Sequence, residues 1–491
     1  MQVKDLKPTE VWSIFDEITK VPRPSGNDEG KLDKIRAWLV DFAKKHNLEY
    51  KVDDTGNVAM FKPAAPGYEK AKGIVLQGHM DMVAEKGAGS THNFDTDPIE
   101  TIVDGEWVRA NNTTLGADDG MGLALALAAI TDPDLKCGPL EVLATVDEET
   151  GLTGASNIKA DMLVGDYLFN LDNEEDGVIT MGCAGGLVTV ITFDYKPEAA
   201  PKDKVYFEIK FEHLHGGHSG TDINAGYATT TKLVTRLLWN IGDQMDYVLA
   251  SIDAGNLHNA IAHAATAVIG INPADKEKLS VLLNHFIADV KNEYRRTEKK
   301  MEITCKSVDA PETIIDDKTA KSVVNAVYAA PHGVTSMSME IPGLVETSTN
   351  LASIKMRPDN KIVIEMFHRS SVESRKDDLA HQVETLFRMA GASKIESEGG
   401  YQGWEPIADS HFLTLAADQW EKLFGVRPRV EAIHAGLECG LFLKARPDME
   451  MISYGPTLLD VHSPQERCHI PAVEKGWKYV KAVIMAVADE K

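Results

Sequence analysis

Apolar residues recur every three or four positions over 8–20 and 27–45, as at Ile35, Leu39 and Phe42, and this spacing predicts two amphipathic helices. Shorter runs at Gly56–Phe61, Ile74–Gln77, Leu140–Val146 and Tyr167–Leu171 read as strands, the last two apolar almost throughout. A further apolar stretch from about Gly120 to Ile130 has a helix's length. Strands apolar on both faces suit a sheet covered by helices, so the first third of the chain is predicted to be α/β.

After Gly185-Gly186 the pattern changes. Longer strands are expected at Leu187–Tyr195, Val205–Phe211, Ile261–Ile271, Met301–Ser307, Leu351–Met356 and Lys361–Phe367. Helices are expected near Ala228–Asn240, Asp275–Arg295, Asp317–Tyr328 and Val372–Met389, and Pro197–Lys204 reads as a charged hairpin connection. From about Ala392 short strands and helices return, closing on an amphipathic helix at Ala472–Ala488. The expected organisation is a discontinuous α/β domain, 1–186 plus 391–491, interrupted by an α+β domain at 187–390. At 491 residues the chain exceeds one core of the usual size, roughly 100–200 residues.

Composition narrows the possible functions. A hydrophobic fraction of 43% and a charged fraction of 26% suit a folded, soluble protein. Lys plus Arg number 51 against 75 for Asp plus Glu, a net charge of −24, which argues against nucleic acid or an anionic membrane as partner. The opening Met1–Lys7 lacks the apolar stretch of an export signal, and the longest apolar run, near Met121–Ile130, is far short of the ~20 residues of a spanning helix. Five cysteines, at 137, 183, 305, 439 and 468, form no C-x-x-C pair, as expected of reduced thiols in a cytoplasmic protein.

Five segments carry the candidate chemistry. The apolar run Val75–Gln77 ends in Gly78-His79-Met80-Asp81, and in α/β sheets ligands bind beyond the carboxyl ends of strands. The spacing lets Asp81 bond the second nitrogen of His79 and fix its ring. Gly116-Ala117-Asp118-Asp119-Gly120 opens the apolar helix, where the carboxylates either cap the helix or bind a cation. Asp147-Glu148-Glu149 and Asp172 end two further buried strands, and Val461-His462-Ser463-Pro464 lies in a late loop. Each has a plainer reading alone, as a turn histidine, a helix cap or a solvated acidic turn. Together they place His79, Asp118, Glu149, Asp172 and His462 at one sheet edge, an imidazole and carboxylate set without thiolate that favours zinc, manganese or cobalt. Five ligands exceed one tetrahedral zinc and fit two divalent ions if Asp118 bridges them.

The combination G-H-M-D, G-A-D-D-G, D-E-E-T-G-L-T-G-A, N-L-D-N-E-E and H-S-P resembles the di-zinc peptidase clan that includes carboxypeptidase G2-like enzymes, tripeptidases and aminoacylases. The length, Gly182–Gly186 and His215–Gly220 (H-G-G-H-S-G) resemble the aminoacyl-histidine dipeptidases within it, which cleave carnosine-type and other Xaa-His dipeptides. The resemblance implies that Asp118 bridges two metal ions, most readily Zn2+, with His79 and Asp172 on one and Glu149 and His462 on the other. It implies Glu148 as general base, Asp81 as the group orienting His79, a cis peptide between Asp118 and Asp119, and His218 as donor to the oxyanion. By the same resemblance the insert serves as a lid and dimer contact, so a homodimer is expected, with closure bringing His218 and Arg369 to the metals.

A dipeptidase must also hold its substrate's terminal carboxylate. Arg369, in His368-Arg369-Ser370-Ser371, is the candidate for a bidentate contact, with Asn259 as a partner and Gly436 offering backbone where a side chain would clash. After H-S-G the chain departs from the family's G-R-x-N-A-like stretch and reads Gly226-Tyr227-Ala228-Thr229-Thr230, so substrate contacts from the insert can differ while the metal ligands stay intact. The alternatives are another amide hydrolase of the clan (tripeptidase, carboxypeptidase or N-acyl amino acid deacylase) or a catalytically silent metal- or peptide-binding protein.

Overall fold

The computed structural model describes residues 2–26, 30–407 and 409–490. The first two helices run Thr9–Ile18 and Asp33–Lys45, so positions 27–29 of the expected second helix lie outside the described residues. Two compact units emerge from the chain path. The first comprises Met1–Cys183, Trp404–Ala432 and Leu437–Lys491; the second comprises Ala184–Gly403 and Ile433–Gly436.

An eight-stranded sheet organises the first unit, in the order Glu49–Val52, Val58–Lys62, Leu140–Thr145, Ile74–His79, Tyr167–Asn170, Glu450–Ser453, Val178–Cys183, Arg429–Ile433. Ile74–His79 pairs in parallel with both Leu140–Thr145 and Tyr167–Asn170, and every residue of these three strands is buried. Such strands are covered on both faces, which is why they read as unbroken apolar runs. The helix Ala117–Thr131 packs on the sheet with all but two of its residues buried, as befits a sequence apolar on every side.

In the second unit, Glu302–Val308, Val205–Glu212, Ala265–Ile271, Tyr247–Ala254, Val345–Arg357, Lys361–Ser370, Gly185–Asp194 and Lys394–Tyr401 lie side by side, and Gly333–Met337 pairs with Val345–Arg357. Lys361–Ser370 starts with alternate residues buried and becomes continuously buried toward Arg369. Thr230–Gln244, Lys276–Glu293, Asp317–Ala329 and Glu373–Met389 supply helical faces to the same core. Because Lys394–Tyr401 pairs with Gly185–Asp194, the unit extends past residue 390. The segment expected as a local hairpin at 197–204 instead pairs Pro197–Ala199 with the distant Thr313–Ile315.

Candidate metal centre

Three parallel strands deliver the first side chains. His79 ends its strand, Glu148 and Glu149 follow Leu140–Thr145 in the short helix Glu148–Gly151, and Asp172 follows Tyr167–Asn170. Asp118 comes from the first turn of Ala117–Thr131, where its own ψ of 113° is non-helical and a cis peptide joins it to Asp119. His462 arrives on the turn between Leu458–Leu459 and Arg467–His469 at φ 58°, a left-handed conformation that histidine tolerates better than most residues.

The side chains converge around Asp118. Its Oδ1 lies 3.1 Å from His79 Nε2, and its Oδ2 lies 3.0 Å from His462 Nε2. Asp172 Oδ1 is 3.5 Å from His79 Nε2, and Glu149 Oε2 is 3.0 Å from His462 Nε2. Two groups with ligand atoms at mutual metal-binding distance therefore share Asp118: His79, Asp118 and Asp172, and Asp118, Glu149 and His462. A third group, His79, Glu148 and Glu149, overlaps them.

The residues fit a pair of cations on two grounds. Imidazole nitrogens and carboxylate oxygens form a donor set that suits zinc and similar divalent ions. In addition, Glu149 Oε1 is buried without a hydrogen-bond partner, a deficit that a cation would satisfy. Electrostatics agree. Burial pushes the Asp172 carboxyl up to about 7, with Asp118 and Glu149 adding to the shift against His79. Bonds to Asp118 and Glu149 raise the His462 imidazole to about 11. Burial also opposes ionisation of Asp118, yet its contacts with His462 and His79 hold it well below the ordinary carboxylate range.

Asp81 is fully buried, and its position is richer than its spacing implied. Its Oδ1 stands 3.5 Å from His79 Nδ1, while its backbone carbonyl lies closer to that nitrogen, at 3.1 Å. The carboxylate also accepts the backbone N–H of Glu148 at 3.1 Å and of Glu149 at 3.4 Å. Burial raises the Glu148 carboxyl well above its usual range, and Asp172, Glu149 and Glu438 push it further, while His79 opposes.

Sequence reasoning passed over several buried polar groups here. Gln77 Nε2 donates to Glu438 Oε2 at 2.6 Å, Thr145 Oγ1 donates to the same oxygen at 2.7 Å, and Asn170 Nδ2 donates to Gln77 Oε1 at 2.6 Å. Arg23 donates to the carbonyls of Asp81 at 2.8 Å and Met80 at 3.2 Å, and Glu466 accepts four backbone amides around Asp118. Arg23 sits outside every chemical motif, Glu438 stands two residues after the candidate Gly436, and the signal for Glu466 is its place four residues after His462.

The second unit gathers His218 and Arg369. Arg369 Nη1 donates to Tyr401 Oη at 3.0 Å, its Nε donates to Ser219 Oγ at 3.3 Å, and its Nη2 lies 3.3 Å from His218 Nε2. His218 Nδ1 accepts the amides of Gly220 at 3.3 Å and Thr221 at 3.2 Å, which leaves the ring proton on Nε2. Nε2–H and the guanidinium then present adjacent donors. Burial, and next the Arg369 charge, lower the His218 imidazole to about 4, so the ring is neutral at physiological pH. Asn259 is exposed and contributes its carbonyl to Ser219 N–H at 2.8 Å. At Gly436 a Cβ would stand 3.0 Å from the Tyr401 ring, so the close approach this glycine permits is to Tyr401.

The model of Peptidase family M20/M25/M40 matches residues 75–486. The chain is 37% identical over 486 residues to the cytosol non-specific dipeptidase of Escherichia coli K12, spanning 99% of both chains. The crystal structure of aminoacylhistidine dipeptidase from Vibrio alginolyticus superposes with a TM-score of 0.90 at 37% identity, covering 99% of this chain and 98% of that one. A tripeptidase from Staphylococcus aureus covers 99% of this chain and 100% of its own at a TM-score of 0.57 and 14% identity, a likeness of fold. Among the described residues no helix is long and apolar enough to cross a membrane, and all five cysteines are free.

Proposed function

The chain belongs to Peptidase family M20/M25/M40, and from that premise we propose that it is a cytoplasmic two-metal dipeptidase acting on small peptides, Xaa-His dipeptides of the carnosine type among them. The observation that carries this reading is Asp118 shared between the two ligand groups, with one carboxylate oxygen toward His79 and the other toward His462. On this reading His79 and Asp172 hold one ion, and Glu149 and His462 hold the other. Zn2+ suits these donors best, with Mn2+ or Co2+ as substitutes. When bound, the ions supply Lewis-acid polarisation of the scissile carbonyl and a more acidic attacking water.

The chain's own groups do the rest. Glu148 takes a proton from the attacking water on its carboxylate and returns it to the nitrogen of the leaving amine. Its backbone N–H, held by Asp81, keeps the side chain beside the ligands without being one of them. Arg369 receives the terminal carboxylate of the substrate, with its fork steadied by Tyr401 and Ser219. His218, protonated at Nε2 and neutral overall, donates to the developing oxyanion. Asn259 and Gly436 line the same end of the substrate.

Homodimerisation through the inserted unit is part of the proposal. Its support is the edge strand Gly333–Met337, where Val334 and Met337 are exposed and Met339 beyond it is 92% exposed. Light scattering should return twice the chain mass, and a monomer would remove this part.

The substrate class is tested by comparing a β-alanyl-histidine dipeptide, a tripeptide and an acetylated amino acid before and after chelation. The expected result is chelation-sensitive cleavage of the dipeptide above the others. Cleavage of the acetylated amino acid alone would replace this reading with a deacylase.

A further inference from the structure

Glu466 stands four residues after His462 and is 2% exposed. A carboxylate so buried ordinarily pairs with a cation, but this one is spent on backbone. Its Oε2 accepts the N–H groups of Leu115 at 2.7 Å and Gly116 at 3.0 Å. Its Oε1 accepts those of Ala117 at 2.7 Å and Asp118 at 3.3 Å. Four consecutive amides aimed at one anion form a nest, and Gly116, at φ 69°, supplies the left-handed step that such a concavity needs.

The opposite side of the loop is held as well. Arg23 donates to the Gly116 carbonyl and also to the carbonyls of Met80 and Asp81, which follow His79. Glu466 itself sits in a tight turn with His462. Its N–H donates to Ser463 O at 3.0 Å, and Ser463 Oγ donates to Asp460 O at 2.6 Å. One side chain thus fixes the turn carrying His462 against the loop carrying Asp118.

We propose that Glu466 is a positioning residue that sets the separation of Asp118 and His462 and thereby the affinity of the Asp118–Glu149–His462 group for its cation. The inference rests on the two-metal reading. Groups that orient metal ligands without touching the metal typically govern affinity by about 10–100-fold.

The test is a Zn2+ dissociation constant for each site, measured by chelator competition on the whole protein, together with the melting temperature of the metal-free form. Glu466→Gln keeps the volume but turns an NH2 toward two of the four amides. The expected result is a second-site affinity weakened about 10–100-fold, with turnover recovering as Zn2+ is raised. Glu466→Asp, which keeps the charge, should fall between Gln and wild type. If Glu466→Gln lowers the metal-free melting temperature yet binds two Zn2+ ions with wild-type affinity, the role is merely structural and the proposal is overturned. If the wild type itself takes up fewer than two ions, the two-metal reading fails first, whatever the variants do.

Discussion

The Asp81 carboxylate accepts the backbone N–H of Glu148 at 3.1 Å, so the group facing His79 also holds the residue assigned as base. Asp81→Asn keeps the shape but opposes one amide with an NH2. The expected loss in kcat/KM is about 10–100-fold, the usual scale for such supporting groups, with part of the metal lost on dialysis. Steady-state kinetics and metal content on the same preparation check it. A variant that keeps full activity and two ions would contradict the arrangement.

Glu148 is half-buried beside the ligands, and its assigned work is proton transfer. Glu148→Ala should lower kcat by about 10²–10⁴-fold, the range a single general base contributes, while two metal ions remain bound. Loss of activity together with loss of metal would instead make Glu148 a ligand, as its place in the group with His79 and Glu149 permits.

Arg369 holds its fork between Tyr401 and Ser219. Arg369→Lys retains the charge but loses the paired donors, so KM should rise tenfold or more, on the order of 1.5–3 kcal/mol for a charged hydrogen bond, with a smaller change in kcat. Tyr401→Phe should give a milder rise, because the hydroxyl steadies the guanidinium. An unchanged KM in both variants would move carboxylate binding elsewhere.

Glu141 supplies a pH test far from the chemistry, since Leu140–Thr145 carries it at the end opposite the Glu148 turn. It is 2% exposed, Oε2 accepts Val164 N–H at 2.9 Å and Gly165 N–H at 3.3 Å, and Oε1 has no partner. Burial raises this carboxyl from 4.5 to about 7, against the pull of those amides. A raised folded value means that stability is fully present below about 4.5 and is lost as pH climbs through about 7. Glu141→Gln stays neutral, so relative to wild type it should gain up to about 3 kcal/mol between pH 4.5 and pH 8. Denaturant midpoints at the two pH values measure this; an equal difference at both would contradict it.

The metal cluster was legible because each ligand ends an apolar run or sits in a short motif, and the burial of Ile74–His79, Leu140–Thr145 and Tyr167–Asn170 matches those runs. Other strands were hidden by local irregularity. Tyr247–Ala254 carries a register shift between Leu249 and Ser251, which breaks the two-residue alternation. Val345–Arg357 was visible only from Leu351 onward, because its first half buries polar residues. There Thr347 meets Ser370 Oγ at 2.9 Å, Ser348 meets His434 at 2.7 Å and Thr349 meets His368 at 2.9 Å. Those partners lie 19 or more positions away, and no pattern within the strand foretells them. Arg23, Glu438 and Glu466 escaped notice for the same reason, since their roles are set by backbone and side chains remote in sequence.

The central claim is that Asp118 joins two metal-holding groups that act together in peptide hydrolysis. The most direct measurement titrates Zn2+ into metal-free protein while following cleavage of β-alanyl-histidine and the bound-metal count. Activity should reach its plateau at two ions per chain, and Asp118→Asn should lose both the second ion and the activity. Full activity with a single ion per chain would contradict the bridging role of Asp118.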